Sequence, residues 1–157
     1  MKLRILSVGH KMPDWVEDGC KEYLKRMPRE FSTEIIEIKP DKRAAGKNAL
    51  QVQEAESKRI LEAAGRDYLI ALDEHGNEVT TLQLAERMQK WQGDGRDVSL
   101  VIGGADGLHP DVKARADWQW SLSKLTLPHA MVRVLLAEQL YRGWSVLTNH
   151  PYHRGDL

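Results

Sequence analysis

The chain has 157 residues, 41% of them hydrophobic and 29% charged. That is the length of one ordinary domain and the composition of a globular protein, which excludes collagenous, mucin-like and low-complexity classes. Its 23 Lys and Arg balance 23 Asp and Glu, so no global charge draws it to nucleic acid or to an acidic membrane, and any such partner must be met by a local patch. The single cysteine, Cys20, excludes an internal disulfide and a cysteine zinc cluster and suits a reducing compartment. No apolar run approaches the roughly 18 to 20 residues of a membrane span, and the N-terminal run is too short for a signal peptide, so a cytoplasmic protein is expected.

Lys2 to Val8 alternates before Gly9 and reads as a first strand. Pro13-Asp14 opens a helix with Trp15, Val16, Tyr23 and Leu24 on its inner side, ending near Pro28; Cys20 within it reads as a buried, inert thiol. A second strand, Glu34 to Ile38, runs into the basic loop Lys39 to Lys47. Asn48 caps a helix to Ala64, with Gly65 as its stop signal. Tyr68 to Leu72 is almost purely apolar, as for a strand covered on both faces, and Asp73 to Asn77 is expected to terminate it.

Thr80 or Thr81 starts a helix through Leu84, Met88 and Trp91, and Val98 to Ile102 forms a fourth buried strand followed by Gly103-Gly104-Ala105-Asp106-Gly107. A short helix from Pro110 to Ala116 leads to a fifth strand, Trp118 to Leu122, then to Ser123 to His129 and a last helix from Ala130 to Thr148. Strands alternating with helices predict an α/β fold with a mainly parallel sheet flanked by helices. In the last helix Glu138, Arg142, Ser145 and Asn149 make one narrow polar stripe on an otherwise apolar surface. Burial on more than one side favours a subunit interface there.

Ligands of open α/β sheets bind beyond the carboxyl ends of the strands. Three such ends are unusual here: Leu72-Asp73, Gly103-Gly104 and Leu122 to Pro128. The glycines permit close backbone approach to a ligand, or serve only a tight turn. No G-x-G-x-x-G follows the first strand, Gly46-Lys47 lacks Walker A spacing and there is no G-x-S-x-G elbow, which disfavours classical dinucleotide, P-loop and serine-hydrolase chemistry. His150 and His153 lack the further ligands a zinc site needs. The terminus His150-Pro151-Tyr152-His153-Arg154 gathers an aromatic, an imidazole and a guanidinium able to stack on bases and pair with phosphate, or is a tail docked on the surface. His129 is a candidate catalytic group or merely the cap of the last helix. Lys39, Lys42, Arg43 and Lys47 become phosphate contacts only if they face the tail.

Ile102 to Leu108 (IGGADGL), Ser121 to His129 (SLSKLTLPH), Arg133 to Tyr141 (RVLLAEQLY) and Asn149 to His153 (NHPYH), with the opening Val8 to Pro13, resemble the ribosomal RNA large subunit methyltransferase H family over Lys2 to Arg154. The resemblance implies one α/β-knot (SPOUT) methyltransferase domain over residues 1–157, with a C-terminal trefoil knot, working as a homodimer. Periodicity alone excludes a knot, because knots are rare. The resemblance further implies S-adenosylmethionine as cofactor and N3 of a pseudouridine in the large-subunit 23S rRNA as methyl acceptor. Carried over, Leu72, Gly103, Gly104 and the loop Leu122, Ser123, Lys124, Leu125, Thr126 and Leu127 form the cofactor pocket, in agreement with the strand ends picked out above. His129, Tyr152, His153 and Arg154 are the catalytic candidates, with Arg154 on phosphate and the tail reaching the partner's pocket.

Where relatives carry a Gly-Lys pair after the third strand this chain has Gly76-Asn77, and it extends past Arg154 by Gly155, Asp156 and Leu157. Neutral charge predicts the assembled 70S ribosome, not free rRNA, as substrate, with no metal and no membrane. Two other classes are compatible with the pattern: a ribosome-binding protein that kept the fold without catalysis, and a different nucleotide-handling α/β enzyme.

Overall fold

The computed structural model describes residues 1–9, 11–41, 46–104 and 106–155. In chain order the elements are β1 (Lys2–Val8), α1 (Asp14–Leu24), a 3-10 turn (Arg29–Phe31), β2 (Ser32–Ile38), α2 (Ala49–Ala64), β3 (Tyr68–Asn77), α3 (Thr81–Asp94), β4 (Val98–Ile102), α4 (Pro110–Arg115), β5 (Trp118–Trp120), α5 (His129–Leu147) and α6 (Tyr152–Gly155). The strands form one sheet in the order β2-β1-β4-β3-β5, every pair parallel.

Alternate residues of the central strands face opposite layers, so both faces need cover. Leu3, Ile5, Ile70, Val98, Leu100 and Ile102 pack with Leu84, Met88 and Trp91 of α3 and Leu136 and Leu140 of α5. Leu6, Val8, Leu69, Ala71 and Val101 pack instead with Ile60 and Ala64 of α2 and Val112 of α4. The N-terminal edge of the sheet is pinned by charge. Arg4 reaches Asp67 at 3.0 Å and Asp97 at 3.3 Å, and the Ser99 hydroxyl donates to Asp67 at 2.8 Å. The opposite, C-terminal edge is free to build a site.

The helix starts follow from their caps. Asn48 with Gln51, and Thr80 with Gln83, each form a complete capping box, and Gly65 closes α2. Three expectations change. Asp73 to Asn77 is strand rather than terminator, because β3 resumes pairing with β5 at Asn77 opposite Trp120 after an irregularity that begins at Leu72. Trp15 is not on the inner side of α1: it is 55% exposed, while Val16 and Cys20 are buried. Ser145 does not belong to a solvated stripe, being buried with its hydroxyl donating to the Arg142 carbonyl at 2.8 Å. The buried Cys20 thiol is pushed up by desolvation, as an inert thiol should be.

Helix α5 lies against α1 on one side, α3 on the other and β4 beneath. Leu136, Leu140 and Tyr141 are buried there, whereas Val132, Val134, Leu135, Trp144 and Leu147 are half-buried and Met131 is exposed. The helix also carries Arg133, whose buried guanidinium grips Glu37 through two bonds of 2.7 and 3.0 Å and ties the first turns of α5 to the end of β2.

Gly76 is where β3 and β5 approach most closely: a Cβ there would lie 2.7 Å from the carbonyl of Gln119 and 2.8 Å from the Trp120 nitrogen. Because these are backbone atoms, Gly76→Ala must displace β5. A loss of about 1–3 kcal/mol in urea denaturation is expected, and an unchanged midpoint would contradict the close approach.

Candidate functional site

A cleft of about 480 Å³ opens beyond the carboxyl ends of β3, β4 and β5. Half-buried Leu72 follows the buried run of β3, Ile102, Gly103 and Gly104 follow from β4, and Trp120 closes the far side. Of the loop after β5, Leu122, Ser123, Leu125, Thr126 and Leu127 line the cleft. Lys124 does not: its side chain is almost wholly exposed, 3.9 Å from Glu78. His129 and Val132, in the first turn of α5, complete the wall. His129 is the first residue of that helix, with Pro128 in the cap position, so its imidazole is not a cap.

The loop holds its own shape. The Ser121 hydroxyl donates to the Ser123 carbonyl at 2.8 Å, the Ser123 hydroxyl accepts from the Leu125 amide at 2.9 Å, and Thr126 donates to Glu74 at 3.2 Å. These local bonds leave Leu125 72% exposed, an apolar side chain presented to a ligand or partner. The glycine segment is both of the things glycine can be. Gly107, at φ +78°, closes a turn through its amide to the Gly104 carbonyl at 3.0 Å, and the same turn walls the cleft.

Helix α2 supports this turn from behind: the Gln53 amide donates to the Asp106 carbonyl, and the buried Glu56 lies beside Gly104 while accepting from the Asp41 amide at 3.0 Å. Desolvation raises the Glu56 carboxyl above the usual carboxylate range, with the Asp41 hydrogen bond opposing it.

The tail is elsewhere. Neither Tyr152, His153 nor Arg154 lines the cleft of its own chain. Tyr152 is packed at 4.7 Å from the Tyr141 ring and 6.3 Å from that of Tyr23, with the Arg142 guanidinium over its face. Its hydroxyl donates to Glu138 at 2.8 Å, and Glu138 also accepts from Arg142 at 2.7 Å. His153 meets the Ser145 hydroxyl at 3.2 Å, and Arg154 is exposed. Tyr141 stands roughly 18 Å along the helix from His129 at 1.5 Å per residue. Burial, reinforced by Glu138 and Tyr23, pushes the Tyr152 phenol far above its ordinary range. It holds its proton and acts as a donor.

Sequence reasoning missed several charged groups of the cleft. Asp73, flagged only as part of an unusual strand end, meets Lys113 of α4 at 3.3 Å inside it. Glu74, His75 and Asp106 also line it. Lys113 carries no signal in the sequence, since a lysine on a short surface helix is ordinary. In the basic loop, Lys47 pairs with Asp41 at 2.7 Å; Lys42 and Arg43, like Asp156 and Leu157, lie outside the described residues. No group of three or more His, Cys, Asp or Glu gathers for a metal among the described residues, and no helix there is long and apolar enough to cross a membrane.

The family model described as predicted SPOUT methyltransferase matches residues 1–153. This chain belongs to the SPOUT methyltransferase family. It is 77% identical over 154 residues to the ribosomal RNA large subunit methyltransferase H of Methylobacillus flagellatus, covering 98% of this chain and 99% of that protein. The protein of the same description from Paraburkholderia phymatum is 59% identical over 155 residues, again covering 98% and 99%. Among solved structures, a probable methylase family protein from Haemophilus influenzae Rd KW20 superposes with a TM-score of 0.57 at 11% identity, over 96% of this chain and 69% of that one. At that identity the likeness concerns the fold.

The raised Glu56 carboxyl has a consequence for stability. A carboxyl whose folded pKa exceeds its unfolded one stabilises most when protonated, and that stability is lost as pH rises from the ordinary carboxylate value through the raised one. Glu56→Gln, which keeps an acceptor for Asp41, is therefore expected to gain stability relative to the parent as pH climbs from about 4 to 7. Denaturant midpoints measured across that range would show a constant difference if Glu56 were not desolvated.

Proposed function

We propose that this chain is an S-adenosylmethionine-dependent methyltransferase, acting as a homodimer on N3 of a pseudouridine in the large-subunit rRNA of assembled ribosomes. The observation that carries the reading is the convergence in one cleft of Leu72, Gly103, Gly104 and the loop through Leu127, in a chain whose relatives are described as ribosomal RNA large subunit methyltransferases over their full length.

The residues present fit the cofactor. The cleft has the size of ordinary small-molecule sites. Leucines offer apolar walls for a purine, and the loop backbone offers groups for its edge. Among the described lining residues, the carboxylates of Asp73, Glu74 and Asp106 stand against one Lys or Arg, Lys113. That balance suits a sulfonium and opposes the phosphates of a nucleotide. When bound, S-adenosylmethionine supplies an electrophilic methyl on a sulfonium that departs as a neutral thioether.

The chain's own residues then have two tasks. One is to hold the uracil-like ring so that its N3 points at the methyl, which positioning in a preformed site accomplishes. The other is to accept the N3 proton, and His129 is the base candidate that lines the cleft. Tyr152, whose phenol keeps its proton, donates and positions; His153 and Arg154 contact the RNA, with Arg154 on phosphate. Because the tail packs on Glu138 and Tyr141 in the second half of α5 and lines no part of its own chain's cleft, it serves the cleft of the partner. The trefoil threading belongs to the same reading. Its support is that the Ser121 amide donates to the Asn77 carbonyl at 2.9 Å and Thr126 to Glu74, which holds segment 121–128 against the extension of β3.

The test is transfer of labelled methyl to 70S ribosomes lacking the modification, with isolated large subunits and free 23S rRNA alongside. Incorporation into 70S alone is expected; equal methylation of a free transcript would contradict the ribosomal substrate, and absence of cofactor binding would contradict the enzyme. His129→Ala is expected to lower turnover by about 10² to 10⁴. Mixed dimers of Gly103→Trp with a tail-truncated chain should recover activity, whereas tails acting in cis would leave them inactive.

A further inference from the structure

Asp73 and Lys113 form an ion pair at 3.3 Å, and both line the cofactor cleft. The pair is not a surface ornament. Asp73 retains only 12% of its side-chain exposure and Lys113 34%, and the two arrive from different elements, β3 and α4, on either side of the glycine turn. Asp73 also accepts from the His75 amide at 3.4 Å, while Lys113 has no second carboxylate within ion-pair distance among the described residues. Lys113 is also the one Lys or Arg among the described lining residues. A cleft whose leucines and loop backbone suit a purine thus ends in one carboxylate and one ammonium held side by side.

On the reading that the cleft takes S-adenosylmethionine, we infer that Asp73 and Lys113 recognise the amino-acid end of the cofactor: Lys113 Nζ pairs with its α-carboxylate and the Asp73 carboxylate with its α-ammonium. A zwitterion presents an anion and a cation about as far apart as the two protein groups are, so the internal pair exchanges for two crossed pairs and no charge is left buried alone. The arrangement gives this pair, a carboxylate and an ammonium facing the cleft side by side, a ligand of matching pattern. Without a ligand of opposite pattern, such a pair contributes little, since partly exposed ion pairs are weak. With one, two charge-assisted hydrogen bonds form in a partly desolvated site. It also assigns a ligand-binding role to α4, a helix of six residues that covers one face of the sheet through Val112 and bonds the Gly65 and Asp67 carbonyls through Arg115.

Binding of S-adenosylhomocysteine and of 5′-methylthioadenosine, measured by calorimetry on the parent, Lys113→Gln and Asp73→Asn, tests this. Both ligands carry the adenosine and a neutral sulfur, but the second lacks the amino-acid end. Each substitution is expected to weaken S-adenosylhomocysteine by at least about tenfold and to leave methylthioadenosine within about twofold. The unchanged methylthioadenosine affinity doubles as a check that the cleft is still folded. Equal loss for both ligands, or no loss for either, would overturn the assignment. Failure of the parent to bind S-adenosylhomocysteine would instead overturn the cofactor reading on which it rests.

Discussion

The structure depends on the burial of α5 between α1, α3 and the sheet. Leu136 and Leu140 are wholly inaccessible, and Arg133 is locked to Glu37 across the end of β2. An uncompensated guanidinium at that depth would be costly, so the ion pair fixes the rotation and depth of the helix. Once α5 is fixed, both of its ends are fixed too. Its first turn brings His129 and Val132 to the cleft, and its second half carries Glu138, Tyr141 and Arg142, against which Tyr152 packs. One rigid element thereby spaces the cleft wall and the packed tail at a set distance, and the proposed sharing of a site between two copies rests on that spacing.

Polarity is divided along the sheet. The N-terminal edge uses its charges on itself, through Arg4, Asp67, Asp97 and Ser99, while the C-terminal edge leaves carboxylates facing a cavity. The first arrangement stabilises register; the second creates a local negative potential without altering the neutral charge of the whole chain. The glycine turn lies between the two layers, braced from behind by Gln53 and Glu56 of α2. A desolvated carboxyl beneath a ligand-facing turn is a cost to stability that the turn's geometry requires.

Much of this was legible. The buried strands announce themselves by unbroken apolar runs, and α2 and α3 by capping boxes whose partners, Gln51 and Gln83, stand at the required spacing. The cleft was legible as three odd strand ends, since Leu72, Gly103 and, of the loop after β5, Leu122, Ser123, Leu125, Thr126 and Leu127 converge there. What was hidden depends on distant partners. Asp73 to Asn77 looks like a turn because its second pairing, to β5, is interrupted and then resumed. Ser145 and Arg133 look like surface residues until Arg142, His153 and Glu37 are seen to satisfy them. Lys113 and Gln53 reach the cleft from helices whose local sequence says nothing of it.

In the proposed function the glycine turn and the loop after β5 together hold the cofactor. Hydrogen exchange of the backbone amides with and without S-adenosylhomocysteine measures it directly. Protection should rise in 103–108 and 121–128 and in the first turn of α5, and stay unchanged along β2 and the exposed side of α1. Protection confined to α1 and β2, or none in the loop after β5, would contradict that assignment.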